Sequence, residues 1–406
     1  MSGAGGRKPP LLVLASTYPR WPGDPEPGFV HHLSARLARD FDVTVVCPHA
    51  PGAAARETMD GVRVLRYRYA PARLETLVND GGIVTNLKRQ PWKWLLVPGF
   101  VLGLCWQAWR AQRRLRPAAI HAHWLLPQGL AAALAGMARH TPFLVTSHGA
   151  DLFALRARPL QALKRFVMRR AAAATVVSAA MRDELDRIGV DGGKVRVLSM
   201  GVDLADRFTP DPAQPRNDHE LLFVGRLVEK KGLRHLIDAL PTVLAAHPQA
   251  FLSIAGFGPE ERERREQVAR LGLQERVRFL GAIEQSQLPA LYRRAAVLVA
   301  PFVAAGDGDR EGLGLVMVEA LGCGCPVVTT ALPSAREIFG DTYSADCVPP
   351  GSPAALADAI NQVLSAPAQA RARAAALREA LLPRFDWDAV AAAYAAALRG
   401  IVGART

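Results

Sequence analysis

Residues 311–328 read EGLGLVMVEALGCGCPVV. The apolar run after Leu313 has the composition of a helix, and the Cys-Pro break hands it on to PVVTT (326–330), a short β-branched strand. A helix that feeds directly into such a strand is one step of an α/β chain. Two carboxylates, Glu311 and Glu319, stand eight positions apart around that step. They suit either solvated helix charges or the two ends of one ligand site.

The same alternation extends in both directions. Toward the N-terminus, LLVLAS (11–16) leads into FVHHLSARLARD, where Phe29, Leu33 and Leu37 share a helical face. Further strands are expected at DVTVVCP (42–48), VRVLRYRY (62–69), AIHAHW (119–124), FLVTSH (143–148), ATVVSA (174–179) and VRVLSMG (195–201). The stretch 203–219 is rich in Pro and Asp, as a linker would be. The alternation then restarts at LLFVGR (221–226), FLSIAG (251–256), VRFLG (277–281) and VLVAPF (297–302). The expected organisation is two Rossmann-like domains, 1–202 and 220–384, joined by 203–219. Residues 385–406 form a closing helix with Val390, Tyr394 and Leu398 on one stripe.

At 406 residues the chain suits two cores of similar size, and 50% hydrophobic with 21% charged residues is ordinary for a globular protein. The net charge of +13 is not ordinary and favours anionic partners. Five cysteines without disulfide or metal spacing suggest a reducing compartment, with Cys323 and Cys325 as packing thiols and a cytoplasmic location. LLVLASTY is too short for a signal-peptide core and reads as a first strand behind a polar tail, MSGAGGRKPP. Residues 92–116 hold about fifteen mostly apolar positions, short of the roughly twenty that span a bilayer. Trp94, Trp106 and Trp109, flanked by Lys93, Arg110, Arg113, Arg114 and Arg116, suit a contact with an anionic membrane surface at its inner face. A surface helix whose apolar face packs in the core fits the same residues, and the two readings are compatible.

Three stretches follow strands and carry candidate chemistry. GRLVEKKG places Gly225 and Arg226 at a strand end, with Lys231 before Gly232; two cations at a strand-to-helix turn suit a diphosphate or a solvated surface. EGLG, at the mouth of the next helix, leaves backbone N–H groups and the positive end of a dipole for an anion. Glu311 then lies outside the helix and Glu319 about two turns inside, on the order of 10 Å apart along the axis. TSHGADL places His148 at a strand end, while Asp151 suits a helix cap. His121 and His123 share a strand face, but no third metal ligand accompanies them in the sequence, and no metal site is expected.

In order and spacing, GRLVEKKG, SIAGFGPE, VRFLGAI and EGLGLVMVEALGCGCPVV resemble the family 4 glycosyltransferases, whose E-x7-E signature is matched by Glu311 and Glu319. The resemblance implies a GT-B fold: two facing Rossmann-like domains, an interdomain cleft and a C-terminal helix returning to the first domain. It implies a retaining transferase without a metal or cofactor, taking a nucleotide-diphosphate sugar donor and a glycan or lipid-linked acceptor. Arg226 and Lys231 would bind the donor diphosphate, Glu311 the donor sugar and Glu319 the ribose. The amides of Gly312, Leu313 and Gly314 would face the distal phosphate or sugar, and Gly281 to Ile283 would border the base. His148 matches the family histidine near the transferred sugar. The loop after the first strand departs from the family's Gly-Gly pattern and keeps only Gly28 with Phe29 behind it.

Three other readings remain open at this level. A sugar-nucleotide epimerase or a phosphorylase can share the fold, although no lysine with supporting text for pyridoxal phosphate is present. A nucleic-acid-binding protein would account for the charge, yet no nucleic-acid module is recognisable and no nucleic-acid partner is expected. A non-catalytic nucleotide-binding protein would not need all of Arg226, Lys231, Glu311 and Glu319.

Overall fold

Leu11 to Leu14 are buried to 1% exposure or less, so the strand that contains them has protein on both faces. That is the signature of a central parallel strand. The computed structural model describes residues 7–24, 26, 28–79, 82–137, 139–153, 157–190, 192–306, 308–340 and 347–403. The tail expected at residues 1–10 lies outside them as far as residue 6.

The first sheet contains β1 (Pro10–Leu14), β2 (Asp42–Pro48), β3 (Arg56–Met59), β4 (Val62–Tyr67), β5 (Ala119–His123), β6 (Phe143–Ser147), β7 (Ala173–Val176) and β8 (Val195–Val197). Their order is β3-β4-β2-β1-β5-β6-β7-β8, and only β3 is antiparallel to its neighbour. The second sheet holds β9 (Asn217–Val224), β10 (Phe251–Ala255), β11 (Val277–Gly281), β12 (Ala295–Ala300), β13 (Val327–Thr330) and β14 (Cys347–Val348). It is parallel throughout, in the order β11-β10-β9-β12-β13-β14. In both sheets the strand order reverses beside the first strand, between β1 and β5 and between β9 and β12. Ligands of doubly wound sheets bind beyond the carboxyl ends of strands at such a reversal.

The chain divides into two compact units: Met1–Val177, Met181–Gly201 and Val390–Thr406 form one, Ser178–Ala180 and Val202–Ala389 the other. The stretch 203–219 packs on the second unit. Leu204 and Phe208 are buried there, and Arg293 Nε donates to the Thr209 carbonyl at 2.7 Å. In the closing helix Trp387–Gly403, Val390, Tyr394 and Leu398 are buried as their spacing predicts. Tyr394 Oη donates to the Leu198 carbonyl and Arg399 pairs with Asp40, both within the first unit.

Candidate active site

In the second unit, β9 ends at Val224, and the chain turns through Gly225 and Arg226 into a short 3-10 turn, Glu229–Lys231. Gly232 closes that turn with φ of 67°, and a Cβ there would stand 1.8 Å from the Pro301 carbonyl oxygen. Only glycine lets the lysine turn lie this close to the end of β12. The turn grips the following loop at several points. The Gly306 N–H donates to Glu229 Oε1 at 3.1 Å, and the Val303 N–H donates to the Lys230 carbonyl at 3.0 Å. Lys230 Nζ pairs with Asp309 at 3.0 Å and also donates to the Arg310 carbonyl. Lys231 Nζ lies 2.8 Å from Glu311 Oε2 and 4.6 Å from the centre of the Phe302 ring.

Burial alone would raise the Glu311 carboxyl. The Lys231 and Lys230 ammonium groups and the Gly314 N–H overcome it and hold the group down at about 2. Glu311 is therefore an anion sitting in a positive field. Gly314 caps the helix Leu315–Gly322 with φ of 78°; its left-handed conformation delays the helix to Leu315. Glu319 consequently stands about one turn inside the helix, not two as the spacing suggested. It is 9% exposed and accepts a hydrogen bond from the Tyr292 hydroxyl at 2.8 Å through Oε2. Burial raises its carboxyl above the ordinary range against the opposing pull of that hydroxyl and of Lys231. No described donor engages Oε1.

The backbone beyond β10 completes this end of the sheet. Leu227 N–H donates to the Phe257 carbonyl, Gly225 N–H to Ala255 and Gly256 N–H to Gly281. Gly281 ends β11, and Ile283 lies half-buried in the loop that follows. Gly225, Arg226, Lys231, Gly281, Gly312, Leu313 and Gly314 thus all sit at carboxyl ends of strands of one sheet or in the loops that follow. Sequence reasoning assigned no role to Tyr292, Phe302 or the Glu229–Lys230 tether, because each acts through a contact distant in the chain. Cys323 and Cys325 are fully buried, and burial pushes their thiols up to about 12 and 11.

In the first unit a second cluster lies at the reversal between β1 and β5. His148 follows β6 directly, and its ring stacks on His123 at 5.2 Å with an interplanar angle of 12°. His123 Nδ1 and His148 Nε2 share a hydrogen bond of 3.0 Å. His121 packs 4.2 Å from His123 and bonds Thr146 Oγ1 at 2.8 Å. Burial lowers the His121 and His148 rings to about 3 and holds His123 well below its ordinary value, so all three are neutral. His123 Nε2 is buried without a described partner. Placing the His123 proton on Nδ1 avoids a buried N–H without an acceptor, and His148 then carries its proton on Nδ1. Among the described residues no group of three or more His, Cys, Asp or Glu is arranged to hold a metal ion.

Phe29 and Trp124 enclose His148, each with its ring centre 4.9 Å from the imidazole. Gly28 caps the helix Phe29–Leu37, which brings that helix start beside the histidine. Asp151 lies within the short helix Ala150–Phe153, and its side chain braces loops where a helix cap was expected. Its carboxylate accepts from Leu125 N–H at 2.7 Å, Ser147 Oγ at 2.9 Å and His148 N–H at 3.3 Å, tying the loops after β5 and β6 together.

The chain belongs to the family 4 glycosyltransferases. The family model Glycosyltransferase Family 4 matches residues 29–206, and Glycosyl transferases group 1 matches residues 206–379. A Mycobacterium tuberculosis relative named glycogen synthase is 32% identical over 394 residues, covering 91% of each chain. A second from the same organism, a GDP-mannose-dependent alpha-(1-6)-phosphatidylinositol monomannoside mannosyltransferase, is 31% identical over 69% of this chain and 75% of its own. Among solved structures, sucrose-phosphate synthase from Thermosynechococcus elongatus superposes with a TM-score of 0.77 at 23% identity, covering 98% of this chain and 100% of that one. Anabaena HepE in complex with UDP-glucose superposes at 0.73 and 20% identity, covering 97% and 100%. The fold is GT-B and the chain is a glycosyltransferase; the epimerase, phosphorylase and nucleic-acid readings are set aside.

Proposed function

We propose that the chain moves a sugar from a nucleotide-diphosphate donor to a glycan or lipid-linked acceptor, with retained anomeric configuration and without a bound metal. The Lys231–Glu311 pair at the mouth of the helix Leu315–Gly322, with Glu319 one turn along, carries the reading. Lys231 is held by an anion it can exchange for a phosphate. Glu311, once released, accepts from sugar hydroxyls, and Glu319 Oε1 accepts from the ribose. The amides of Gly312 and Leu313, with that of Gly314 once Glu311 releases it, face the distal phosphate or sugar, and Gly225, Gly281 and Ile283 border the rest of the nucleotide. A GDP-mannose-dependent relative and a neighbour bound to UDP-glucose support a nucleotide-sugar donor.

In the transfer, the bond from the anomeric carbon to the diphosphate oxygen breaks, and a bond from the same carbon to the acceptor oxygen forms on the same face. The acceptor proton passes to the departing phosphate oxygen. The electron pair leaves with the nucleoside diphosphate, whose charge Arg226, Lys231 and the helix mouth stabilise. His148, neutral at working pH, donates from Nδ1 to the transferred sugar, and Gly28 opens the helix beside it. The first unit takes the acceptor and the second the nucleotide sugar. We place the enzyme in the cytoplasm, at the inner face of the membrane when the acceptor is lipid-linked.

The test is incubation with UDP- and GDP-sugars and candidate acceptors, with a chelator present, followed by NMR of the product's anomeric proton. Transfer with the donor's configuration supports the proposal. Inverted product, or turnover abolished by the chelator and restored by a divalent cation, overturns the retaining or metal-free part.

A further inference from the structure

The helix Val97–Leu115 turns Phe100, Leu104 and Ala111 into the core of the first unit. On its opposite side Leu102, Trp106, Trp109 and Arg113 follow one another at helical spacing. Leu102 is 69% and Trp106 60% exposed. Trp106 stacks on Trp109 at 5.0 Å, and the Arg113 guanidinium lies 4.9 Å over the Trp109 ring. The preceding turn, Pro91–Leu96, adds Trp92, Trp94 and Leu95, exposed by 46%, 60% and 82%. Two helices of the same unit, Leu130–Met137 and Arg158–Arg170, add exposed Leu134, Met137 and Leu163. The helix Val97–Leu115 packs on the turn Pro91–Leu96 and on Leu130–Met137, which packs on Arg158–Arg170, so these side chains stand on adjoining elements and mark an interaction surface, not scatter.

The charge of this region says what the surface meets. From residue 81 to residue 182 the chain carries fifteen Lys and Arg and one acidic residue, Asp151. Asp151 is buried, with both oxygens engaged as described above. Lys93 and Lys164 are buried too, donating to the Thr76 and Leu152 carbonyls, so Lys93 is not the surface cation its sequence context suggested. Arg113, Arg114, Arg116, Arg169 and Arg170 are exposed. A purely apolar partner would leave these guanidinium groups unanswered, and a purely anionic one would leave the tryptophans and leucines in water.

We propose that this face docks on the surface of an anionic phospholipid bilayer. Tryptophan and leucine side chains enter the headgroup boundary while the arginines meet lipid phosphates. The contact is peripheral: among the described residues no helix is long and apolar enough to cross a membrane. The inference extends the membrane placement proposed above, and it does not depend on the donor chemistry, because none of these side chains belongs to the two sites.

The test is co-sedimentation of the full chain with phosphatidylcholine vesicles, with and without phosphatidylglycerol, at low and high salt. Tryptophan emission and transfer to a soluble acceptor are followed in parallel. Binding to the doped vesicles, weakened by salt and accompanied by a blue shift, is the expected result. Arg113→Glu with Arg114→Glu should weaken it about tenfold or more. Trp94→Ala with Trp106→Ala should weaken binding and reduce the shift, and both double variants should keep transfer to the soluble acceptor. Equal binding to neutral vesicles, or none to either, overturns the proposal. So does a dimer in sedimentation that Trp106→Glu dissolves, since a second copy would then own the face. Loss of transfer with lipid binding intact counts against the transferase reading alone.

Discussion

Lys231 Nζ and Glu311 Oε2 are 2.8 Å apart, with side-chain exposures of 14% and 16%, so they form a nearly dry ion pair. Removing one partner leaves the other charge uncompensated. Lys231→Met should destabilise the second unit by about 3 kcal/mol, read from urea denaturation. The Glu311 carboxyl should rise from about 2 toward or above the ordinary range, read by NMR titration. Lys231→Met with Glu311→Gln should recover most of the stability and none of the transfer rate. Recovery of both would make the pair structural only.

Gly232 places its Cα where any Cβ meets the Pro301 carbonyl at 1.8 Å, in a left-handed conformation. Gly232→Ala should therefore cost on the order of 3 kcal/mol, combining backbone strain with displacement of the β12 loop. An urea midpoint equal to the parent's would show that the loop can move freely.

Tyr292 donates to Glu319 from a fully buried position. Tyr292→Phe removes that donor, raises the Glu319 carboxyl further and should cost about 2 kcal/mol of stability. Nucleotide binding should weaken with it, most at low pH where Glu319 protonates. Unchanged affinity in calorimetry would remove Glu319 from the ribose contact.

The two units should respond differently to acid. His121, His123 and His148 have folded values far below the ordinary 6.5, so the unfolded chain binds more protons as pH falls below 6.5. The first unit's stability is full above that value and declines between about 6.5 and about 3. Glu311 is depressed from 4.5 to about 2, so its contribution to the second unit is full above 4.5 and fades as pH falls toward 2. Chemical denaturation at stepped pH, following Trp124 for the first unit, should show that unit weakening first. A transfer-rate step near 6.5 caused by His148 protonation is not expected; one abolished by His148→Gln would contradict the neutral assignment.

Twelve of the fourteen strands among the described residues follow from short apolar runs between helical patterns, because strands buried on both faces leave a dense signal. The two missed are β3, whose RETM is polar and lies at a sheet edge, and the two-residue β14. The placement of Glu311 ahead of the helix and Glu319 within it was legible, but the depth of Glu319 in the helix was not. Gly314 could have begun a helix or held it off; its φ of 78° holds it off, and the Phe302 ring leaves no room there for a Cβ. The position of His148 directly after a strand was legible. His123, Trp124 and the Asp151 brace were not, because their roles depend on β5 and β6 lying side by side. Likewise, nothing in EKK tells that Glu229 and Lys230 hold a loop some eighty residues away.

The most direct test of the central claim is calorimetric titration of the protein with UDP, GDP, ADP and TDP, alongside Glu319→Ala. The account predicts that one of the four binds at micromolar concentration and that the substitution weakens it at least about tenfold. A folded protein that binds none of them, or binds one equally well without Glu319, would contradict the placement of the nucleotide site.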